Sequence, residues 1–330
     1  MPAATGPASK VALITGGNSG VGFSLARQLL AAAEKITVVL ACRNLAKAEE
    51  ARAELLVHHP DGDVRLVQLD TSSVASVQLA VSQTLDTYSR LDLLYCNAGA
   101  MPIDKFNIAA VLKGLLTEPS KFFESSVAFD QKSGLVTKDG MGMTFATNVF
   151  GHYLLIHKLL PLLSVSSARV IWTGSAANSL QFSRVDYQHV HGKMPYESSK
   201  YIVDQIAIPL DAKLAKHGVR CFVAEPGNVC SAFLSSYNMP LFETLVFLFF
   251  YLVRVVVGME RLTISPENGC AANYFVGMAR EEELDARIKY HSCASRLGKP
   301  FVDMKPIKYS ADTGKFLIDK LDKLLEKYDV

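Results

Sequence analysis

Two side chains that could exchange a proton with a substrate lie four residues apart, in the run YESSK. Tyr196 and Lys200 share one face if this segment is helical, because residues i and i+4 are neighbours on a helix. A phenol has a pKa of about 10 and is a poor acid or base at neutral pH. A nearby ammonium favours the phenolate and brings that pKa towards the working range. The pair predicts general acid–base chemistry, although Tyr-x-x-x-Lys alone also occurs by chance on solvated helices.

Further polar motifs follow the predicted strands or lie on the helices that flank them. NAG closes the fourth strand at 97–99, TGS closes the fifth at 173–175, and PGN closes the sixth at 226–228. TNVFG, at 147–151, lies in the helix after the fourth strand. Open α/β sheets bind their ligands outside the carboxyl ends of the strands. These four motifs and YESSK are therefore expected to meet in one cleft.

A glycine-rich turn joins the first strand to the first helix. The run TGGNSGVG, at 15–22, has the pattern T-G-x-x-x-G-x-G. Such a tight turn needs a positive φ at some positions, and the missing Cβ atoms let a pyrophosphate approach backbone amides at the helix N-terminus. The turn predicts a dinucleotide site formed by Gly16, Asn18, Ser19, Gly20, Val21 and Gly22. A structural turn without a ligand is the alternative.

The ends of the second and third strands predict which dinucleotide binds. An acidic residue after the second strand would bind the ribose 2′-hydroxyl of NAD, whereas an arginine accommodates the 2′-phosphate of NADP. The run LACRN places Arg43 there with no carboxylate beside it, so NADP(H) is the expected cofactor. Asp70 and Thr71 end the third strand in VQLDT and are placed for the adenine edge.

Alternating apolar runs and amphipathic segments position these motifs. The apolar runs are rich in β-branched residues and predict strands buried on both faces, at 11–15, 36–42, 64–69, 91–96, 169–173 and 219–224. The amphipathic segments predict helices at 21–33, 45–57, 73–89, 138–163 and 196–217. This alternation predicts an α/β fold, a doubly wound parallel sheet (Rossmann fold) with helices on both faces. Residues 1–330 are expected to form a single domain.

Two segments interrupt the alternation. Residues 100–137 are too long for an ordinary strand-to-helix loop, which predicts a packed or membrane-facing insertion. Residues 240–259 are the most apolar stretch, broken only by Glu243 and Arg254, and sheet-associated sequence follows them. Three interpretations are open: an in-plane or partly inserted membrane contact, a helix lining an apolar pocket or oligomer interface, and a true span. A span would bury Arg254 in the bilayer at a cost of a few kcal/mol.

The composition excludes some classes of function. The 34 basic and 32 acidic residues are well mixed and give a net charge of +2, without the basic stripe typical of nucleic-acid binding. The six cysteines form no C-x-x-C pair and show no zinc-like spacing, so no metal site is expected. Cys42, Cys96 and Cys221 lie in apolar runs and are expected to be buried and reduced, which favours a reducing compartment.

The glycine turn, NAG, TNVFG, TGS, YESSK and PGN together resemble the short-chain dehydrogenase/reductase family over residues 10 to about 230. The resemblance implies that Tyr196 protonates the substrate carbonyl and that Lys200 holds the nicotinamide ribose and lowers the tyrosine pKa. It also implies that Ser175 hydrogen-bonds the substrate oxygen and that Asn148 anchors a water linking Lys200 to solvent. The residues implied to shape the cofactor cleft and flank the nicotinamide are Asn97, Ala98, Gly99, Pro226, Gly227 and Val229.

The position of the serine departs from the family pattern. The interval between Ser175 and Tyr196 is longer than the family usually leaves, and Ser183 lies at the more usual distance. Ser175 is still the expected serine, because it ends a strand and the extra residues can loop out without moving it.

Longer runs resemble one branch of the family, the 3-keto-steroid reductases of sterol C4 demethylation; they are 39–49, 97–102 with the insertion, 147–156, 169–175 and 186–201. The similarity weakens after about residue 230. It implies NADPH-dependent reduction of a sterol 3-ketone to the 3β-alcohol, with reduction of the estrone 17-ketone as a second activity. It also implies residence on the endoplasmic reticulum membrane, facing the cytosol, with other sterol-demethylation enzymes nearby. Homodimers are a further expectation from the family.

Two other functions are compatible with these motifs. A retinal or other lipid-carbonyl reductase would share the glycine turn, the arginine after the second strand and the membrane tendency. A non-catalytic NADP(H)-binding scaffold would keep the dinucleotide site and lose part of the catalytic tetrad. Asn148, Ser175, Tyr196 and Lys200 are all present, which favours an enzyme.

Overall fold

The computed structural model describes residues 9–118, 122–123, 125–178, 182–229 and 240–328. Within these ranges the strands are β1 Lys10–Thr15, β2 Ile36–Cys42, β3 Asp63–Gln68, β4 Leu93–Cys96, β5 Ile103–Phe106, β6 Phe129–Gln131, β7 Arg169–Thr173, β8 Arg220–Glu225, β9 Ile288–Ala294 and β10 Pro300–Pro306.

Eleven helices accompany these strands in the described ranges, besides two short 3-10 helices at Ala215–His217 and Glu281–Glu283. The first four are α1 Gly20–Leu30, α2 Leu45–His58, α3 Val74–Thr87 and α4 Ile108–Thr117. Helix α5 consists of the contiguous segments Met143–Phe145, Ala146–Phe150 and Gly151–Lys158, of which the second is a π-helical turn. The remaining helices are α6 Leu160–Val165, α7 Pro195–Leu214, α8 Pro240–Val257, α9 Pro266–Gly269, α10 Ala271–Met278 and α11 Ala311–Tyr328.

The sheet is doubly wound, as the alternation predicts. Its eight strands run in the order β10-β9-β8-β7-β4-β1-β2-β3, and all neighbours are parallel except β9 and β10. The chain moves outward from β1 to β3 and then returns to β4 on the other side of β1. Because the strand order reverses between β1 and β4, a ligand is expected in the crevice above them. All six predicted strands are present.

Apolar side chains pack on both faces of this sheet. Successive residues of β1 point to opposite faces, so that Leu13 joins one core and Ile14 the other. Leu154 of α5 and Ile206 of α7 complete the first core, and Leu25 of α1 belongs to the second. The prediction of burial on both faces is wrong for β3, because this strand is the sheet edge and part of it faces solvent.

The predicted buried cysteines lie in these cores. Cys42, Cys96 and Cys221 are buried free thiols. Burial raises the pKa of Cys42 to about 11, since a thiolate would lose its solvation. The three cysteines therefore act as small apolar residues in the fold.

The helix predicted over 138–163 begins later and is interrupted before its end. Residues 137–142 form a turn in which the Thr137 amide donates to the Met141 carbonyl, and Gly140 has a φ of 79°. Leu159 separates α5 from α6, where Pro161 lacks the amide that a continuous helix would use. Both predicted bounds were therefore wrong, while the central part of the helix, which carries Asn148, is present.

The insertion at 100–137 is packed against the rest of the protein. Strands β5 and β6 form an antiparallel pair with α4 between them in the sequence. Phe123 is buried, and its ring lies 5.5 Å from that of Phe250 and 6.4 Å from that of Phe249, both on α8. The insertion and the apolar segment at 240–259 therefore meet each other. Residues 119–121 and 124 lie outside the described part of the insertion.

Helix α8 directs its arginine into the protein and several large apolar side chains outwards. Arg254 is 5% exposed, and its guanidinium lies 3.4 Å from the carbonyl oxygens of Leu262 and Thr263. The exposed side chains are Phe247, Leu248, Phe249, Tyr251, Leu252, Val256 and Val257. No helix in the described ranges is both long and apolar enough to cross a membrane.

The end of the chain completes the sheet and covers one of its faces. The sheet-associated sequence expected after 259 forms β9, parallel to β8, and β10, antiparallel to β9. Helix α11 then packs beside α7, and its Leu317 and Leu321 are fully buried in the core that contains Leu154. The Asp322 carboxylate accepts hydrogen bonds from Tyr153 of α5 and Lys213 of α7.

Candidate active site

The predicted acid–base pair lies in the first two turns of α7. Pro195 is the first residue of this helix, where a missing amide costs nothing, and Tyr196 follows it. The Lys200 side chain is buried, and its ammonium donates to the Thr173 carbonyl oxygen at 2.7 Å. The Lys200 Nζ lies 5.6 Å from the centre of the Tyr196 ring. The two side chains therefore share one helix face, as the spacing predicts.

Burial controls the protonation of both groups. It raises the pKa of Tyr196, and the Glu225 and Glu197 carboxylates add to the rise, while a hydrogen bond with Ser175 opposes it. Burial also lowers the pKa of Lys200 to about 8, with a contribution from the like charge of Lys289. Desolvation of the phenolate dominates in the protein alone, so the pKa of Tyr196 lies above its ordinary value; the lowering effect of Lys200 stays a prediction. At neutral pH Tyr196 is a protonated phenol.

Ser175 is the serine that faces Tyr196. It follows β7 and hydrogen-bonds Tyr196, while its Oγ accepts from the Ala177 amide at 3.1 Å. Ser183, the alternative, accepts from the Asp186 amide at 3.3 Å within a turn. Ser175 lines the cleft described below and Ser183 does not. The geometry favours Ser175 as the residue that contacts a substrate oxygen.

Asn148 lies in the π-helical turn of α5 and fixes the loop after β4. Its Oδ1 accepts from the Ala100 amide at 2.7 Å, and its Nδ2 donates to the Ala100 carbonyl at 3.0 Å and to Ser199 Oγ at 2.9 Å. A Cβ placed on Gly99 would lie 3.5 Å from Asn148 Oδ1 and 3.8 Å from Lys200 Nζ. Gly99 thus leaves a gap between these two side chains. The water proposed at Asn148 stays a prediction.

The glycine turn has the geometry of an anion cradle. Gly16 and Gly20 have φ values of 65° and 54°, so the predicted positive φ is confirmed at both positions. A Cβ on Gly22 would lie 2.6 Å from Asn97 Nδ2, so only glycine lets α1 approach the NAG loop this closely. Asn97 Nδ2 also donates to the Thr15 carbonyl at 2.9 Å. The free N-terminus of α1 is thereby held beside the NAG loop.

The opposite end of the cleft is basic. Arg43 follows β2, and Lys47 lies one helical turn later on α2; both line the cleft. Asn44 caps α2 by accepting from the Lys47 amide at 3.0 Å. Asp70 Oδ1 accepts from the Ser72 amide at 3.0 Å, which orders the loop that also carries Thr71. Two cations next to a polar loop suit the adenosine end of a dinucleotide.

One continuous cleft of about 920 Å³ joins these parts. The predicted residues that line it are Gly16, Asn18, Ser19, Gly20, Val21, Arg43, Asp70, Thr71, Asn97, Ala98, Gly99, Ser175, Tyr196, Lys200, Pro226, Gly227 and Val229. Gly22 and Asn148 do not line it, but each lies against a residue that does, Asn97 and Ala100 respectively. The cradle, the basic end and the lysine beside the tyrosine fit a nicotinamide dinucleotide.

The substrate end of the cleft is apolar and is roofed by the insertion and α8. Its apolar lining includes Met101, Pro102, Phe106, Val111, Phe122, Phe123, Phe129, Phe249 and Phe250. Asn228 Nδ2 donates to the Phe123 carbonyl at 2.6 Å, which ties the roof to the loop after β8. The buried Glu197 carboxylate accepts from the amide and hydroxyl of Ser126, at 2.9 and 2.8 Å. The roof is therefore fixed to the catalytic helix as well.

Sequence reasoning missed several residues of this site. Lys47 could have been found, because it lies one helical turn after Arg43. Glu197 is part of YESSK, but its partner Ser126 is 71 positions away and no local pattern connects them. His152 is buried on α5, and its Nε2 lies 2.9 Å from the Thr15 hydroxyl, which accepts from the Ala98 amide. It therefore supports the NAG loop from below.

Comparisons with known proteins identify the family of the chain. The sequence profile described as short chain dehydrogenase matches residues 10–118. The chain is 35% identical over 316 residues to the 3-keto-steroid reductase/17-beta-hydroxysteroid dehydrogenase 7 of Homo sapiens, covering 94% of this chain and 92% of that protein. It is 32% identical over 314 residues to the 3-keto-steroid reductase of Schizosaccharomyces pombe, covering 91% of each.

Solved structures support the fold. A 3-ketoacyl-(acyl-carrier-protein) reductase from Brucella melitensis, complexed with NADH, has a TM-score of 0.57 at 21% identity and covers 87% of this chain and 98% of its own. The RhlG/NADP complex of Pseudomonas aeruginosa has a TM-score of 0.51 at 24% identity, covering 73% and 81%. The extent and identity of the sequence matches establish the relationship: the chain belongs to the short-chain dehydrogenase/reductase family, within which it groups with the 3-keto-steroid reductases.

Proposed function

We propose that the protein reduces the 3-ketone of a sterol to the 3β-alcohol with NADPH, as a step of sterol C4 demethylation. The observation that carries the proposal is the meeting of the Tyr196–Ser175 pair with a deep apolar chamber in one cleft. Relatives that match nine-tenths of the chain are named 3-keto-steroid reductases, which supports the same substrate class. Reduction of the 17-ketone of estrone is proposed as a second activity.

Each catalytic residue has a proposed part in this reduction. A bound nicotinamide dinucleotide supplies the hydride that the carbonyl carbon accepts. Tyr196 is protonated at neutral pH and gives its proton to the carbonyl oxygen, so the ketone becomes an alcohol. Ser175 donates a hydrogen bond to the same oxygen and fixes its position. Lys200 supplies the positive charge that offsets the phenolate left behind, and it orients the nicotinamide ribose.

NADPH is proposed over NADH because of the charge at the end of the cleft. Arg43 and Lys47 would both face the 2′-phosphate, and Asp70 lies beyond the next strand rather than beside the arginine. An arginine at this position accommodates a phosphate, whereas NAD would need a carboxylate there.

The roof of the cleft suits a rigid apolar substrate. Its phenylalanines would cover most of a sterol ring system, and apolar contact contributes roughly 25 cal/mol per Å² of buried surface. Only Ser175 and Tyr196 are needed to orient one oxygen. Because Glu197 and Asn228 fix the roof at two points, little ordering of the protein opposes binding.

Residence on the endoplasmic reticulum membrane, facing the cytosol, is also proposed. The exposed apolar side chains of α8 form a continuous candidate surface, with Leu248 and Leu252 one turn apart on it. The same helix lines the cleft through Phe249 and Phe250, so a sterol could pass from a bilayer to the site along one element. Homodimers and contact with other sterol-demethylation enzymes stay predictions.

The decisive test is turnover of NADPH with three parallel substrates. Detergent-solubilised protein would be given zymosterone, estrone and all-trans-retinal, with Tyr196→Phe as the control variant. We expect oxidation of NADPH with zymosterone, and loss of most turnover in the variant with cofactor binding retained, since only the proton donor is removed. Activity on retinal alone would discard the sterol assignment and keep the catalytic residues. Cofactor binding without turnover of any carbonyl would indicate a scaffold.

A further inference from the structure

A second buried lysine lies beneath the catalytic residues, outside every motif discussed above. Lys289 is on β9, beside Val223 of β8, and its side chain is 6% exposed. Its ammonium donates to the Ser175 carbonyl oxygen at 2.8 Å and to Asp204 Oδ2 at 2.8 Å. It also lies 3.5 Å from Glu225 Oε2. One side chain thus joins the catalytic loop, the catalytic helix and the sheet.

The loop that carries Ser175 rests on two ammonium groups. Lys200 holds the carbonyl of Thr173, and Lys289 holds that of Ser175, two residues later. Between them, a Cβ on Gly174 would lie 3.0 Å from Lys289 Cε, so a larger residue would push the loop off the lysine. Asp204, the partner of Lys289, lies one turn beyond Lys200 on α7. The two lysines therefore fix the distance between Ser175 and the helix that carries Tyr196.

We infer that Lys289 is a positioning residue of the proposed reduction: it holds the Ser175 loop against Tyr196 and balances the two carboxylates that lie beneath them. This inference rests on the proposed function, because it assigns Lys289 a part in the same proton transfer. Lys289 does not line the cleft, so it acts through Ser175 and through its charge.

The charged groups around Lys289 and Tyr196 determine how Lys289 affects the proton transfer. Asp204 on α7 and Glu225 on β8 are both almost completely buried. Glu225 also pairs with Arg261 and His291, each at 3.0 Å. Together with Lys289, these two partners lower the pKa of Glu225 to about 2. Among the described residues, Glu197 on α7 also faces Tyr196, and Cys96 on β4 and the neutral His152 on α5 face Lys200.

Removing the charge of Lys289 and removing the charge of Asp204 should shift the pH dependence of the catalytic rate in opposite directions. Loss of the Lys289 charge removes the cation paired with Asp204 and one of the partners of Glu225, and the added negative charge beneath Tyr196 disfavours the phenolate. Loss of the Asp204 charge leaves an uncompensated ammonium, which favours it. A purely structural role would instead lower activity in both variants without shifting the titration.

The experiment follows the reverse reaction, oxidation of the alcohol with NADP⁺, in which Tyr196 must lose its proton. Rates of wild type, Lys289→Met, Lys289→Arg and Asp204→Asn would be measured against pH, using any alcohol that the wild type oxidises. We expect kcat of Lys289→Met to fall at least about tenfold, with the titration displaced to higher pH by roughly one unit or more. Asp204→Asn should displace it to lower pH, and Lys289→Arg should keep the wild-type titration.

Three further readings make the outcome decisive. The dissociation constant of NADPH should change less than about twofold in every variant, since Lys289 does not line the cofactor cleft. Melting temperatures identify variants that do not fold. If Lys289→Met does not fold, the two single variants Lys289→Arg and Asp204→Asn still test the inference. Wild-type rates in Lys289→Met, or shifts of the same sign in Lys289→Met and Asp204→Asn, would overturn the inference. A wild type that oxidises no alcohol would overturn the proposed function itself.

Discussion

Burial sets the protonation of the two residues closest to the reacting oxygen. Tyr196 keeps its proton because a phenolate would lose solvation, and Lys200 gives up its proton more easily for the same reason. A reductase needs a protonated tyrosine, so the shift in Tyr196 suits the proposed direction. Of these two residues, Lys200 is the one whose pKa lies nearer to neutral pH.

The pH dependence of ketone reduction should follow Lys200. Its ammonium is charged below the pKa of about 8 and neutral above it. We expect kcat for ketone reduction at saturating NADPH to be level below about pH 8 and to fall above it, because the cation that offsets the developing phenolate is lost. The measurement is a pH–rate profile with melting temperatures recorded in parallel. A profile that shows no ionisation in this region would contradict the role of Lys200.

Cofactor preference should follow Arg43. Replacement by aspartate removes the cation facing the 2′-phosphate and supplies a carboxylate for the ribose 2′-hydroxyl. We expect Arg43→Asp to lower kcat/KM for NADPH at least about tenfold and to raise the relative use of NADH. Arg65→Asp, an exposed arginine on β3, is the matched control. An unaltered NADPH/NADH ratio would show that Arg43 does not contact the 2′-phosphate.

The site residues that could be predicted are those that belong to a short sequence motif. The glycine turn, Ser175, Tyr196 and Lys200 each lie in a short motif at a strand end or helix start, and the fold brings these motifs together. Lys289 and Asn228 act through partners 114 and 105 positions away. No local pattern reports such contacts, so only the three-dimensional arrangement shows them.

At the level of elements, buried polar residues explain why β9 was not delimited from the sequence. Its run IKYHSCA contains Lys289, His291 and Ser292, which local reasoning assigns to the surface, yet all three are buried. Each is satisfied by another element: Asp204, Glu225 and the Gly269 carbonyl respectively. Strand β10 was equally hard to delimit, since five of its seven residues are exposed at the sheet edge.

Arg254 of α8 is likewise a charged residue that is buried against partners outside its own helix. In the sequence its charge argued against a true membrane span, because it interrupts an apolar run. In the structure it points inwards to two carbonyl groups, and the outward face is left apolar. The effect of a charged residue on membrane binding can therefore be assessed only once the direction of its side chain is known.

Membrane binding should depend on that outward face. The double variant Leu248→Glu, Leu252→Glu places two charges on it without touching Phe249 or Phe250. We expect its binding to phosphatidylcholine vesicles, measured by flotation, to fall at least about tenfold, because each buried leucine contributes roughly 1.5–3 kcal/mol. The matched control is Val57→Glu, Leu79→Glu, with two side chains on α2 and α3 that are more exposed than those of Leu248 and Leu252. Equal losses in both double variants would argue against the α8 surface.

At the level of the whole molecule, α11 joins the end of the chain to the helices that carry the catalytic residues. Its buried face lies against α5 and α7, and its Tyr328 hydroxyl donates to the Asp139 carbonyl at 2.8 Å. The alternation of strands and helices predicts the architecture up to β8. It does not predict where α11 docks, because any exposed apolar face of the sheet layers would have suited an amphipathic helix.

The docking of α11 should contribute measurably to stability. Leu321 is fully buried, so Leu321→Ala removes apolar contact and leaves a cavity. We expect the free energy of unfolding in urea to fall by about 2–5 kcal/mol. Lys323→Ala, an exposed residue on the same helix, should change it by less than about 0.5 kcal/mol. Similar losses in the two variants would mean that helix propensity, rather than packing, is being measured.

The location of Lys289 near the end of the chain bears on how the protein is made. A ribosome delivers the glycine turn, Ser175, Tyr196 and Glu225 before β9 exists, and domains begin to fold from the N-terminal side during synthesis. Until Ile288–Ala294 adds to β8, the buried carboxylates of Asp204 and Glu225 lack their ammonium partner. The nascent protein therefore has every catalytic side chain and no finished catalytic site. We therefore expect activity to appear only after β9 has paired with β8 and the Lys289 ammonium has reached the two carboxylates.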